Sequence, residues 1–90
     1  MIELGGNIKL TNFEGINPAL LIVIKKIVGN YTKNISEAYK DFKEIEIILE
    51  DKDTNSIIVK LTTDKVHESH SKDKNLFFSL DKALGSFLKK

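Results

Sequence analysis

Apolar positions alternate with polar ones in short runs at both ends of a long segment with helical period. In residues 7–13, Ile8, Leu10 and, less regularly, Phe13 are separated by polar side chains, which predicts a first strand. Glu14-Gly15 reads as a turn. Asn17-Pro18 is a helix start: Asn17 can cap, and Pro18 stands at the first helical position, where a missing N–H costs nothing. From Pro18 to about Tyr39, the residues Leu20, Ile24, Ile27, Val28, Tyr31, Ile35 and Ala38 fall on one face. Gly29 interrupts this run and costs about 1 kcal/mol relative to Ala. The apolar phase is the same on both sides of it, so one helix is expected. Two helices divided at Gly29-Asn30 are the alternative.

Alternation returns after the helix. Ile45, Ile47 and Leu49 alternate with Glu44, Glu46 and Ile48. After the polar turn at residues 51–55, Ile57, Val59 and Leu61 alternate with Ile58, Lys60 and Thr62. This is a hairpin pattern, with Glu46 and Lys60 able to pair on its outer face. Residues 66–71 predict a third, polar strand suited to a sheet edge. Asn75 then caps a last helix whose core face is Phe77, Leu80, Leu84 and Leu88, supported by Phe87, with Ser79, Lys82, Ser86 and Lys89 outward. The order β-α-β-β-β-α predicts an α+β two-layer sandwich: a four-stranded mixed sheet with both helices on one face. The single long crossover makes the first two strands parallel if they are neighbours. Gly5-Gly6 reads as a flexible entry or a bulge.

Length and composition narrow this further. Ninety residues, 41% of them hydrophobic and 30% charged, predict a single domain over residues 1–90 with a small core. No cysteine is present, which excludes disulfides and thiol chemistry. The N-terminal residues do not have the pattern of a signal peptide. The longest apolar run, residues 19–24, is too short to span a bilayer. A cytoplasmic protein is expected. The formal charge is +1, and all fourteen cations are Lys. Lysine is a point charge suited to non-specific phosphate contact, whereas bidentate base recognition needs Arg.

The order of elements and several local patterns resemble the ribosome hibernation promoting factor family, also called ribosome-associated inhibitors. Ile16-Asn17-Pro18-Ala19-Leu20 is similar to that family's "TPAL"-like helix start. Asn75-Leu76-Phe77-Phe78-Ser79-Leu80-Asp81 is similar to its Asp-Met-Tyr-Ala-Ala-Ile-Asp opening of the last helix. Asn75 stands where the capping Asp would be, Phe77 at the Tyr and Asp81 at the final Asp. The resemblance implies the same fold and contact with the small ribosomal subunit through basic residues on exposed helix faces. Lys89 falls at a usual basic position of the last helix, while Ser86 stands where a Lys is common.

Two surface patterns carry the functional expectations. Lys26, Lys33 and Lys40 recur every seven residues opposite the core face, spanning about 21 Å of helix. With Lys82, Lys89 and Lys90 on the last helix they could follow the phosphates of ribosomal RNA. The plain alternative is a solvated helix face, interspersed with Glu37 and Asp41. Ile22 and Phe78 fall off the core faces and could form an apolar patch for a protein partner or a second copy. Ile48 and Ile58 would lie on the exposed side of the sheet. His67 and His70 point to opposite faces of a strand, which argues against a shared metal. No nucleophile–base pair or cofactor motif is present. The expectation is a non-enzymatic, cofactor-free binding protein. It either damps translation by occupying a ribosomal site or serves as an interaction or homodimerisation module.

Overall fold

The computed structural model describes residues 2–88. Its elements are β1 (Ile2–Leu4), β2 (Ile8–Thr11), α1 (Pro18–Ala38), β3 (Glu44–Asp51), β4 (Ser56–Thr62), β5 (Val66–Ser71) and α2 (Leu76–Gly85). The strands form one sheet in chain order. Every neighbouring pair is antiparallel except β2 and β3, which α1 joins as a parallel pair. The α+β class and the mixed sheet match the sequence reading, but the sheet has five strands rather than four. The extra member, β1, pairs with β2 through a tight connection at residues 5–7. Gly5 takes φ +68° there, so Gly5-Gly6 belongs to a hairpin turn and not to a flexible entry.

Strand alternation divides the two faces of the sheet. Leu10, Ile45, Ile47, Leu49, Ile57, Val59 and Leu61 are buried on one face. Against them pack Ile24, Val28 and Ile35 of α1 and Leu80, Ala83 and Leu84 of α2, so both helices cover the same side. Phe13, in the loop after β2, is fully buried in this cluster. Each such aliphatic side chain contributes about 1.5–3 kcal/mol by leaving water.

The helix α1 is continuous through Gly29. Asn17 Oδ1 accepts the Ala19 amide at 2.8 Å and Pro18 opens the first turn. Its buried residues are Ile24, Val28, Thr32 and Ile35, with Leu21 packed at the edge of the core. The core line is therefore rotated towards Leu21, Val28 and Thr32, and Leu20 and Ala38 are exposed. Residues 19–24 are apolar all round, so they do not themselves specify which side faces the sheet; packing of the later turns decides it.

In α2 the Asn75 side chain accepts the Phe77 and Phe78 amides. Ser79 is fully buried, contrary to its expected outward position. Its hydroxyl donates to the Asn55 carbonyl at 2.7 Å, and its carbonyl accepts from Ser71 Oγ at 2.5 Å. Ser86 Oγ reaches Ser69 Oγ at 2.7 Å. Serines, not apolar side chains, join α2 to the edge strand, because β5 offers only polar residues on that face. The helix ends at Gly85, and residues 86–88 form a turn, so Leu88 is packed from outside the helix.

Candidate interaction surface on the helix layer

The uncovered face of the sheet is organised by charge. In register across the five strands run Glu3, Lys9, Glu46, Lys60 and Glu68, opposite in sign at every seam. Lys9 Nζ also meets Glu44 at 2.7 Å, which raises the lysine's pKa, and Thr11 donates to Glu46 at 2.6 Å. Ile48 and Ile58 sit opposite one another beside this row, half-buried. Opposite charges a strand apart stabilise a solvated face. With Glu44 the face carries four carboxylates against two lysines and is net acidic, and Val66, on the same side of β5 as Glu68 and 63% exposed, adds apolar surface at the edge strand.

The helix layer differs. Leu20, Ile22 and Val23 on α1 and Phe78 on α2 are large apolar residues open to solvent, Ile22 and Phe78 most of all at 58% and 62%. Phe78 borders a groove of about 450 Å³ between the helices, lined by Ile27, Asn30, Tyr31, Phe77, Phe78 and Asp81. Ile22 is not part of it. At 100° per residue it stands about 140° around α1 from Ile27, so Ile22 and Phe78 do not form the single spot expected from sequence. Leu20 and Val23, seven and four residues before Ile27, extend the groove side of α1 instead.

Inside the groove the Tyr31 hydroxyl donates to Asp81 Oδ1. That bond, with burial, pushes the Tyr31 pKa up to about 12. Gly85 lies beside this pair: a Cβ there would stand 3.8 Å from the Tyr31 hydroxyl, an ordinary contact distance. Fifty residues separate Tyr31 from Asp81, and neither carries a local signal of the pairing. Helical period alone placed Tyr31 among core residues.

The lysines are not assembled as the sequence suggested. Lys26 and Lys33 are exposed on α1, about 10 Å apart along its axis, with Gly29 between them. Lys40 lies in the turn beyond Tyr39, which caps the helix, so it does not continue their line. Lys82 is exposed but held by Asp73 Oδ2 at 2.6 Å, and that ammonium keeps the Asp73 carboxyl below its ordinary pKa. Lys89 and Lys90 lie outside the described residues.

His67 and His70 face opposite sides of β5: His67 is paired with buried Leu61, and His70 with Ile58. His67 packs at 5.9 Å from the Tyr39 ring, with Nε2 3.3 Å from Thr63 Oγ1. The Thr63 hydroxyl is buried and bonded to Asp64 Oδ1 and the Lys65 amide, an arrangement that fixes the turn between β4 and β5. His70 bonds Glu68 at 3.1 Å on the open face. Among the described residues no three His, Asp or Glu are placed to share a metal ion, and no helix is long and apolar enough to cross a membrane. No protein-family model, curated protein or solved structure matches the chain.

Proposed function

We propose that this domain is a non-catalytic interaction module that binds a protein partner through its helix layer. The observation that carries the reading is the exposure of Leu20 and Val23 on α1 and of Phe78, which borders the interhelical groove, all on the helix layer. Water ordered on such apolar surface is released when a partner covers it. Binding would act by occupancy: the His70–Glu68 pair lies on the open sheet face, and His67 packs against Tyr39 and Thr63, both away from the groove between the helices. The test compares proteins retained from lysate by wild type, by Leu20→Glu/Val23→Glu/Phe78→Glu, and by the sheet-face variant Ile48→Glu/Ile58→Glu. Specific retention is expected to vanish only in the helix variant; retention that follows the sheet variant overturns the reading.

A second reading, contact with ribosomal RNA as in hibernation factors, is favoured by Lys26 and Lys33. Both are exposed, no ion pair engages them among the described residues, and Gly29 between them lets a phosphate backbone approach. Two such contacts give weak, strongly salt-dependent binding. Sedimentation of the protein with ribosomes at low salt, lost in Lys26→Glu/Lys33→Glu, supports it. A protein that stays at the top of the gradient in low and moderate salt excludes it.

A further inference from the structure

The interhelical groove combines three aromatic side chains with one carboxylate. Tyr31, Phe77 and Phe78 line it, and Asp81 is the only charged residue among its walls. The neighbouring cation in sequence, Lys82, is taken up by Asp73. The one ring–ring pair among the described residues is Tyr39 with His67, so the groove's rings are not stacked on each other. Aromatic faces attract cations through their quadrupole, and a carboxylate beside them adds a full negative charge. From this we infer that the groove accepts the ammonium of a lysine side chain presented by the partner polypeptide.

Two details select this occupant. Asp81 Oδ1 already accepts the Tyr31 hydroxyl, which leaves Oδ2 as the fully open oxygen. A bidentate guanidinium would have to share Oδ1 with that hydroxyl, whereas an ammonium is a point charge satisfied by Oδ2 alone. The groove is also open to solvent, and by helical period the exposed Leu20 and Val23 lie on the same side of α1 as its Ile27 wall. A polypeptide can run along that wall and lay apolar neighbours of the lysine on it, which a free amine cannot. Tyr31 orients Asp81 and contributes its ring to the groove.

The inference rests on the helix-layer reading and names the chemistry of that same surface. Its test uses the full chain labelled with ¹⁵N and a blocked pentapeptide with a central lysine and a leucine at each end. The control peptide carries Nε-acetyl-lysine. Amide resonances of Asn30, Tyr31, Phe78 and Asp81 are expected to move and saturate with the lysine peptide at millimolar concentration. The acetylated peptide should bind about tenfold more weakly. Asp81→Asn, which can still accept the Tyr31 hydroxyl, should remove the difference. Should that variant not fold, added salt should weaken the wild type's binding of the lysine peptide alone. Equal affinity for the two peptides overturns the ammonium site and leaves the helix-layer reading standing. No movement of groove resonances with either peptide also overturns the ammonium site, while the lysate comparison judges the helix layer separately.

Discussion

Ser79 and Asn55 are 24 residues apart in sequence, yet the serine hydroxyl donates to the asparagine carbonyl at 2.7 Å. Asn55 holds φ +53° at the end of the β3–β4 turn, and its Nδ2 bonds the carbonyls of Asp73 and Lys74. One residue thus ties the hairpin to the loop before α2 and to the helix itself. Ser79→Ala leaves the Asn55 carbonyl without this donor inside the fold and should cost about 1–2 kcal/mol in urea unfolding. Ser79→Val should cost more, because the added methyls press on Ser71, whose Oγ lies 2.9 Å from Ser79 Oγ.

The class of fold was legible because Ile45, Ile47 and Leu49 against Ile57, Val59 and Leu61 repeat with period two on both sides of a polar turn. Three apolar or charged residues at positions 2–4 are too few to show a period, so β1 was not. Ser79 looked like an outward polar residue. Only the tertiary contact with β5, itself polar on that side, explains its burial. The site was less legible still. Exposure of Leu20 and Val23 depends on how α1 rolls on the sheet, and the Tyr31–Asp81 bond joins two elements with no pattern linking them.

Alkaline titration isolates the Tyr31–Asp81 pair. The Tyr31 pKa is raised to about 12, first by its bond to Asp81. Below the unfolded tyrosine value, near 10, the phenol is protonated in both states and its full stabilisation is present. As pH rises from there through the folded value, the unfolded state releases its proton first and stability falls. The Tyr31 step in absorbance near 295 nm should therefore move to lower pH in Asp81→Ala, and the alkaline loss of stability should shrink. An unchanged step would mean the hydrogen bond is not formed.

Two positions in α1 are predicted to tolerate stabilising changes. A Cβ at Gly29 meets no atom within 4 Å, so Gly29→Ala should add about 1 kcal/mol from helix propensity. The Thr32 hydroxyl is buried and finds no hydrogen-bond partner. Thr32→Val keeps the shape, removes the unsatisfied group and should add about 1 kcal/mol. Thermal melts of the single and double variants check both. If Gly29→Ala also weakens ribosome sedimentation without loss of stability, the RNA reading gains over the protein-partner reading.

At acid pH the Asp73–Lys82 pair sets the sign. Lys82 lowers the Asp73 carboxyl, with the Asn75 amide as a further donor. The stabilisation is complete above the unfolded aspartate value and is lost as pH falls through the lower folded one. Lys82→Gln should be slightly less stable than wild type at neutral pH, and the two should converge in acid. Lys82 is exposed and the pair lies at the surface, although Asp73 itself is partly buried, so the difference is small. A gap that persists in acid would assign the loss to packing of the Lys82 stem instead.

The central claim is that this domain works through its helix layer. Retention of partners from lysate, compared between Leu20→Glu/Val23→Glu/Phe78→Glu and Ile48→Glu/Ile58→Glu, tests it with circular dichroism as the check on folding. The account predicts that the helix variant loses the specifically retained proteins while the sheet variant keeps them. Loss in the sheet variant alone, or equal retention by all three proteins, would contradict it.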